Sequence, residues 1–316
     1  FYMRGLPTPH KLLAAMEDVH PTAVLTVPLV IDKIYRKRIL PKLQGHKITA
    51  KLMNYNFMRK QLHKMAGKKL CKSLGGKLRF FMFGGASLNQ DVELFLCDAK
   101  ISYSTGYGMT ETSPILTINP FGKIKVGSCG QPIPGVAIKI HEPNPETGVG
   151  EIIVKGPNVM RGYFNNEQAT REVLQEDGWL HTGDLGYLDE ENYLFIKGRA
   201  KNVIIGSSGE NIYPEIVEQL LTQNLFIQEA VVYEEKGKLF AKVYMDYDAL
   251  DQALQDAAKN DMKAEQEKSA LLEQIRAEVN EQLPRHSHLT KLIEHPDMFD
   301  KTPTNKVKRY LYIPKG

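Results

Sequence analysis

Hydrophobic and polar residues recur along this chain with two periods, one typical of helices and one typical of strands. Apolar residues at helical spacing predict helices, and short apolar runs between turn residues predict strands. The helical segments are residues 8–19, 29–40, 50–75, 89–99, 167–174, 214–223 and 248–283. The strand-like runs are residues 23–27, 78–83, 101–104, 136–140, 151–154, 187–188, 193–196, 203–205, 229–233 and 239–245. Strands alternating with helices predict an α/β layer with a mainly parallel sheet.

Two glycine-containing turns follow predicted strands of this layer directly. The residues concerned are Gly84, Gly85 and Ala86 in the first turn, and Tyr107 and Gly108 in the second. Ligands of parallel α/β sheets bind beyond the carboxyl ends of the strands, and glycine lets a flat ligand approach the backbone. Both turns are therefore candidate ligand-binding segments. A plain turn is the alternative interpretation of the first one. Asn89, just after it, is suited to cap the next helix.

The composition changes twice along the chain, and these changes predict its domains. From about residue 124 to residue 198 glycine, proline and β-branched residues dominate, which predicts a small β-rich subdomain. A second pattern of strands and helices begins after residue 200. We therefore expect a larger domain over residues 1–200 and a smaller α+β domain over residues 201–316, with the boundary near 199–202.

Residues 178–218 hold the densest group of candidate binding residues. A short hairpin separates Asp184 from Arg199. A carboxylate can accept hydrogen bonds from paired hydroxyls, and a guanidinium offers a fixed fork of donors. This pair suggests a ligand that carries hydroxyl and phosphate groups. The alternative is a surface ion pair, which contributes little to stability.

Three ordered motifs give the chain a family resemblance. They are Gly106-Tyr107-Gly108-Met109-Thr110-Glu111, the segment from Thr182-Gly183-Asp184 through Gly198-Arg199-Ala200-Lys201 to Gly209-Glu210-Asn211-Ile212-Tyr213-Pro214, and Lys301-Thr302-Pro303-Thr304-Asn305-Lys306-Val307-Lys308-Arg309. Because these three motifs occur in this order, the chain resembles the adenylate-forming superfamily. Residues 21–28 and the basic helices after them resemble the long-chain fatty acid–CoA ligases most. The resemblance implies a layered sheet-and-helix part of the large adenylation domain, its β-rich subdomain and a mobile C-terminal domain.

The resemblance also implies roles for residues of the first two motifs. Tyr107 would stack on adenine, Thr110 would contact phosphate, and Glu111 would hold Mg²⁺. Asp184 would bind both ribose hydroxyls, and Arg199 would support the ribose or the phosphates. Without the neighbouring motifs, Thr110 and Glu111 would be interpreted as an ordinary helix start.

Further roles implied by the resemblance lie in the C-terminal part of the chain. Lys201 occupies the hinge position between the two domains. Lys306 would stabilise negative charge at the α-phosphorus while the carboxylate attacks ATP. Asn305 stands where the family usually has glycine. A basic tail is the alternative interpretation of Lys306. The residues expected along the pantetheine arm of CoA are Gly206, Ser207, Ser208 and Gly209, for which a surface turn is the alternative.

Composition and charge limit which kinds of ligand and which cellular environment we expect for this chain. The net charge of +4 permits attraction to nucleotides or CoA and is not typical of nucleic-acid binding. Three cysteines, widely separated, fit a reduced cytosolic protein. The basic cluster Arg36, Lys37, Arg38 and Lys42 is interpreted as a solvated helix face. The alternative is peripheral contact with anionic lipid on the inner face of the membrane.

The expected function is ATP-dependent activation of a fatty acid to acyl-AMP, followed by thioester formation with CoA. Expected ligands are ATP or AMP, Mg²⁺, CoA and the fatty acid. No Ser/Thr/Gly-rich phosphate loop precedes the motifs, so we expect part of a longer protein that is itself inactive and exposes a sheet edge. Two alternatives stay open: an adenylating enzyme for another acid or a carrier-protein acceptor, and a non-catalytic nucleotide-binding module.

Overall fold

The structure is a computed structural model that describes residues 9–45, 47–120, 122–206, 209–247, 249–250, 261–302 and 306–314. The chain divides into two compact units. The first contains Phe1–Thr182 and Gly186–Ile196, and the second contains Gly183–Leu185 and Lys197–Gly316. The division lies close to the expected boundary, and the assignment of domain roles stays a prediction.

Helices of the first unit surround a sheet that is parallel at one side. Their bounds are α1 Pro9–Val19, α2 Pro28–Ile34, α3 Leu40–Gln44, α4 Lys47–Met53, α5 Asn56–Ser73, α6 Gln90–Asp98 and α7 Glu167–Val173. The predicted helix over 29–40 is interrupted, because Tyr35–Ile39 forms a π-helical segment between α2 and α3. The predicted segment 50–75 forms two helices, α4 and α5.

The first sheet has the order β1-β2-β3-β4-β5. Its strands are β1 Ala23–Thr26, β2 Phe80–Phe83, β3 Ser102–Tyr107, β4 Thr117–Ile118 and β5 Gln131–Pro132. The pairs β1–β2 and β2–β3 are parallel, whereas β4 and β5 are antiparallel. The expected α/β fold is confirmed, but the sheet is not mainly parallel, because two of its four strand pairings are antiparallel. Strand β1 lies at the edge, and its Leu25 side chain is exposed.

Apolar side chains on one face of β2 and β3 form the core of this layer. Phe83, Phe95, Leu96 and Tyr103 are almost fully buried there. A second sheet with the order β6-β7-β8-β9 forms the β-rich part. Its strands are β6 Ala137–His141, β7 Gly150–Lys155, β8 Leu180–Leu188 and β9 Leu194–Arg199.

In the part of the second unit that the structure describes, helices pack on a three-stranded sheet. Its elements are β10 Ile204–Ile205, β11 Asn211–Ile212, α8 Pro214–Gln223, β12 Ile227–Glu235, β13 Lys238–Met245, α9 Asp261–Asn280 and β14 Leu289–Glu294. Strands β12 and β13 form an antiparallel hairpin, and β14 pairs in parallel with β13. Strand β14 was not predicted. Val232, Ala241 and Val243 are fully buried in the core of the second unit.

Two sequence-based interpretations are wrong in detail. Asn89 stands at the N-cap position of α6, but its side chain makes no capping hydrogen bond. Its Nδ2 atom donates instead to Asp32 Oδ1 at 2.6 Å. Arg36 does not belong to a solvated basic face, because it is buried and paired with Asp32 at 3.0 Å and Asp91 at 3.8 Å.

Of the helices in the described ranges, none is both long and apolar enough to cross a bilayer.

Candidate active site

The parallel strands bring the two glycine-containing turns to one edge of the first sheet. Thr26, Phe83 and Thr105 are neighbours in register across β1, β2 and β3. Gly84 follows Phe83 directly, and Gly108 follows Tyr107, the last residue of β3, so both turns begin at the carboxyl ends of neighbouring strands. Ligands of parallel sheets bind at this edge.

The first turn is open to a ligand. A side chain added at Gly84 would meet no atom within 4 Å, and Gly85 has a left-handed backbone with φ of 86°. Ala86, the last residue of this turn, is exposed. A flat group could therefore approach the backbone at Gly84 without a steric obstacle.

In the second turn, other backbone atoms of the protein occupy the space beside Gly108. A Cβ atom at Gly108 would lie 1.7 Å from the Pro114 carbonyl oxygen. Gly108 is therefore required by the close approach of two backbone segments. The neighbouring Tyr107 is half-buried, and its ring packs beside the apolar cluster that contains Leu116. The Tyr107 ring is therefore partly covered by this cluster.

Thr110 and Glu111 lie together in a short 3₁₀ helix, Thr110–Thr112. Thr110 is exposed, and its hydroxyl has no hydrogen-bond partner within the described residues. Glu111 accepts a hydrogen bond at Oε1 from the Tyr163 hydroxyl at 2.8 Å. Burial raises the pKa of Tyr163, and this hydrogen bond adds to the effect. Tyr163 was missed in the sequence, since no spacing or motif connects it with Glu111.

Glu111 fits Mg²⁺ only as a single carboxylate ligand. In the part of the chain that the structure describes, no three His, Cys, Asp or Glu side chains are grouped so as to hold a metal ion. Mg²⁺ in nucleotide sites is commonly held by one or two carboxylates together with substrate phosphates and water. The donor set is therefore compatible with a metal that arrives with its nucleotide.

In the second unit Asp184 and Arg199 form an ion pair. The Arg199 Nε atom lies 2.8 Å from Asp184 Oδ1. The Asp184 side chain is 8% exposed and the Arg199 side chain 38% exposed. A nearly buried carboxylate held by a guanidinium is chemically suited to accept hydroxyl hydrogen bonds, so its donor and acceptor set fits a ribose. The interpretation as a surface pair does not account for this burial.

The other predicted residues of the second unit lie in turns. Lys201 is exposed within the 3₁₀ helix Ala200–Asn202. Gly206 and Gly209 close the turn between β10 and β11, and the Gly209 amide donates to the Gly206 carbonyl at 3.0 Å. A side chain at Gly209 would meet nothing within 4 Å. Ser207 and Ser208 lie outside the described residues, as does Asn305.

Lys306 lies on a short turn closed by a bridge between Lys301 and Val307. Its backbone is held by Thr302, whose amide donates to the Lys306 carbonyl at 2.8 Å. The ammonium group is exposed and has no ion-pair partner within the described residues. An ammonium in this state can move to a developing negative charge without first breaking an ion pair.

Arg309, at the end of the same motif, anchors this turn to the core of the second unit. Its Nη1 atom pairs with Glu218 of α8, and its Nη2 atom donates to the Val232 carbonyl at 2.8 Å. The Val232 amide donates to Glu218 as well, at 2.7 Å. Burial raises the pKa of Glu218 to about 7, against the opposite effect of Arg309. No motif in the sequence connects Arg309 with Glu218.

Comparisons with known proteins identify relatives of this chain. A family model described as AMP-binding enzyme matches residues 1–164. The chain is 30% identical over 336 aligned residues to the long-chain-fatty-acid–CoA ligase FadD15 of Mycobacterium bovis, covering 96% of this chain and 55% of that protein. It is 44% identical over 160 residues to a 2-succinylbenzoate–CoA ligase of Bacillus cereus, covering 49% of this chain and 33% of that protein.

A solved structure extends the similarity to the fold. It is the o-succinylbenzoate CoA synthetase of Bacillus subtilis in complex with its acyl-adenylate intermediate, with a TM-score of 0.66 and 25% identity. The match covers 98% of this chain and 54% of that one. The chain therefore spans about half the length of the long-chain ligase and of this structure.

Proposed function

This chain belongs to the family of AMP-binding enzymes, and from that premise we propose that it forms part of an AMP-forming ligase that joins a fatty acid to CoA. In the first step the fatty-acid carboxylate attacks the α-phosphorus of ATP, which gives acyl-AMP and pyrophosphate. In the second step the CoA thiol attacks the acyl carbon, and AMP leaves as the thioester forms. The proposal concerns the activity of the whole protein.

The observation that carries the proposal is the Asp184–Arg199 pair. A nearly buried carboxylate beside a guanidinium supplies an acceptor for ribose hydroxyls and donors for ribose or phosphate oxygens. Lys306 would stabilise charge at the α-phosphorus in the first step. Its exposed ammonium, which has no ion-pair partner in the part of the chain that the structure describes, supports this role. Glu111 would contribute a carboxylate to Mg²⁺, which offsets charge on the phosphates when it is bound.

A calorimetric titration of the 316-residue chain with AMP and a stable acyl-AMP analogue tests this site. We expect Asp184→Asn to weaken binding of both by about 10- to 100-fold, the loss of one charge-assisted hydrogen-bond acceptor. Glu190→Gln is a matched control, because Glu190 is an exposed carboxylate in the turn between β8 and β9. Equal affinities for Asp184→Asn and the unaltered chain would contradict the proposed ribose site.

A fatty acid is the proposed substrate because the similarity to FadD15 extends over 96% of the chain. An aryl acid such as 2-succinylbenzoate is a second candidate, because identity to the Bacillus cereus ligase is higher, although over half of the chain. Titration with palmitoyl-AMP and 2-succinylbenzoyl-AMP analogues distinguishes them. Tighter binding of the palmitoyl analogue supports the fatty acid, and the reverse order supports the aryl acid.

A further inference from the structure

A loop over residues 156–166 packs against the motif that contains Glu111, and we call it the Glu111 loop. The Asn158 Nδ2 atom donates to the Thr112 carbonyl oxygen at 2.8 Å. The Met160 amide donates to the Glu111 carbonyl oxygen, also at 2.8 Å. Both acceptors are backbone atoms. The loop therefore holds the backbone that carries the Glu111 carboxylate, whatever that carboxylate itself binds.

The far end of the Glu111 loop is fixed to α7, which determines where Tyr163 lies. The Tyr163 amide donates to Thr170 Oγ1 at 2.9 Å, and this hydroxyl donates in turn to the Asn166 carbonyl oxygen at 2.9 Å. Gly162 has φ of 151°, and a Cβ atom there would lie 2.9 Å from Thr170 Cγ2. Glycine adopts such a backbone without strain. The position of Tyr163 is therefore set by local backbone geometry and by α7.

The Tyr163 hydroxyl engages one oxygen of the Glu111 carboxylate. It donates to Oε1 at 2.8 Å. The other oxygen, Oε2, accepts no hydrogen bond from any residue that the structure describes. Chelation of one cation by both carboxylate oxygens would compete with the hydrogen bond to Oε1. Coordination of a cation by Oε2 alone would not.

This difference matters for the two common divalent cations of oxygen-rich sites. Mg²⁺ requires near-octahedral coordination at about 2.0–2.1 Å, which the narrow bite of a chelating carboxylate fits poorly. Ca²⁺ accepts about six to eight oxygen ligands at about 2.3–2.6 Å and readily takes both oxygens of one carboxylate. A carboxylate with one oxygen engaged by a hydroxyl therefore suits Mg²⁺ and deprives Ca²⁺ of one ligand.

We propose that Tyr163 determines which divalent cation is accepted with the nucleotide, because its hydroxyl holds Glu111 Oε1 and leaves Oε2 for a small octahedral cation. The inference rests on the proposed function in one respect, namely that Glu111 is a ligand of that cation. Tyr163 acts through Glu111 and is therefore a positioning residue. A hydrogen bond that only stabilised the loop would not discriminate between cations.

Calorimetric titration of the 316-residue chain with ATP tests this discrimination, in excess Mg²⁺, in excess Ca²⁺ and in EDTA. The measured quantity is the ATP affinity in Mg²⁺ divided by the affinity in Ca²⁺. We expect a ratio above one for the unaltered chain. Tyr163→Phe should lower the ratio about 3- to 10-fold, the size of one hydrogen bond. The change should come from tighter binding in Ca²⁺, and an unchanged ratio would overturn the proposal.

A matched control and a second variant separate positioning from general stability. Tyr55→Phe is the control, because the Tyr55 side chain is 59% exposed and its hydroxyl has no hydrogen-bond partner in the described ranges. It should leave the ratio unchanged. Thr170→Val removes the acceptor of the Tyr163 amide and should lower the ratio less than Tyr163→Phe does. Weaker ATP binding in both cations alike, at a constant ratio, would indicate a structural role of Tyr163 and overturn the proposal.

Glu111→Gln distinguishes failure of this inference from failure of the proposed function. Because the charge is lost, ATP affinity in either cation should fall towards the value in EDTA. If it does, and Tyr163→Phe leaves the ratio unchanged, the inference alone is wrong. If the unaltered chain binds ATP equally in Mg²⁺, Ca²⁺ and EDTA, the cation role of Glu111 is wrong as well. Titration of Asp184→Asn with AMP does not involve the cation and tests the ribose site separately.

A spectroscopic measurement reports the hydrogen bond itself, without nucleotide or cation. In the chain labelled with ¹³C at tyrosine Cζ, the Tyr163 resonance is the one that disappears in Tyr163→Phe. We expect Glu111→Ala to shift this resonance, because the hydroxyl loses its carboxylate acceptor. The Tyr55 resonance should stay in place. An unshifted Tyr163 resonance would show that the hydroxyl does not engage Glu111 in solution, which overturns the proposal.

Discussion

Gly84 and Gly108 follow neighbouring parallel strands, but the protein requires glycine at only one of them. Gly108→Ala would place a methyl group 1.7 Å from a backbone oxygen, which side-chain rotation cannot relieve. We expect it to lower the free energy of unfolding by about 2–4 kcal/mol, measured by guanidinium titration. Gly84→Ala is the matched control and should change stability by less than about 0.5 kcal/mol. Similar losses at both positions would contradict the packing argument.

Lys306 and Lys308 lie in one motif and differ in their expected role. Lys306→Ala should reduce ATP–pyrophosphate exchange by about 100-fold or more, because a charge at the reacting phosphorus is lost. The same change should leave thioester formation from supplied acyl-AMP nearly unaffected. Lys308→Ala is the control and should retain exchange. The assay applies to a protein containing this chain that is active in both half-reactions, and equal loss of both would contradict the assigned role.

Much of the candidate site could be predicted because its residues stand in short ordered motifs. Asp184 and Arg199 are an example, since the hairpin between them brings their strands side by side. Partners distant in sequence could not be predicted. Tyr163 reaches Glu111, and Arg309 reaches Glu218, across long stretches that no local pattern connects. Only the folded chain brings those pairs together.

At the scale of elements, Glu93 connects α6 with the first sheet. It is 1% exposed, accepts from the Tyr103 hydroxyl at 3.0 Å and from the Gly127 amide at 2.7 Å, and has its pKa raised by burial from 4.5 to about 7. The folded protein therefore keeps this proton at pH values where the unfolded chain has lost it. The stabilisation is full below about pH 4.5 and is lost as the pH rises through about 7.

A measurement of unfolding free energy against pH checks this contribution. Between about pH 4.5 and 7 the unaltered chain should lose about 2–3 kcal/mol through Glu93. Glu93→Gln preserves the shape and one of the two acceptor oxygens but cannot ionise, so its curve should be flatter by that amount. Glu218, whose pKa is also raised to about 7, keeps its own contribution in both proteins. Parallel curves would show that Glu93 is not protonated in the folded state.

The strong periodicity of apolar residues made most helices and strands predictable. The features that were not predicted correctly have physical causes. In β14 only Leu289 and Leu292 are buried, so the strand lacks the alternation that would reveal it. The Asn89 amide forms a hydrogen bond with Asp32, which is distant in sequence, in place of a cap. Arg36 stands among basic residues, so its burial against Asp32 and Asp91 has no local signature.

At the scale of the whole molecule, the second unit has a core of its own. The buried cluster that contains Val217, Val232, Ala241 and Leu292 lies entirely beyond residue 197. We therefore expect residues 197–316, expressed separately, to unfold in one cooperative transition in urea, followed by circular dichroism. A gradual loss of signal without a sigmoidal transition would show that this unit depends on the first one for its fold.

The parallel pairing of β14 with β13 has a consequence for the order in which the second unit folds. Strands β12 and β13 are joined by a tight turn and can pair within microseconds. Strand β14 must first close the long connection over residues 246–288, and the entropy of that closure is lost before its contacts form. During synthesis the hairpin is complete while β14 has not yet left the ribosome. One edge of β13 therefore stays unpaired until β14 emerges and pairs with it.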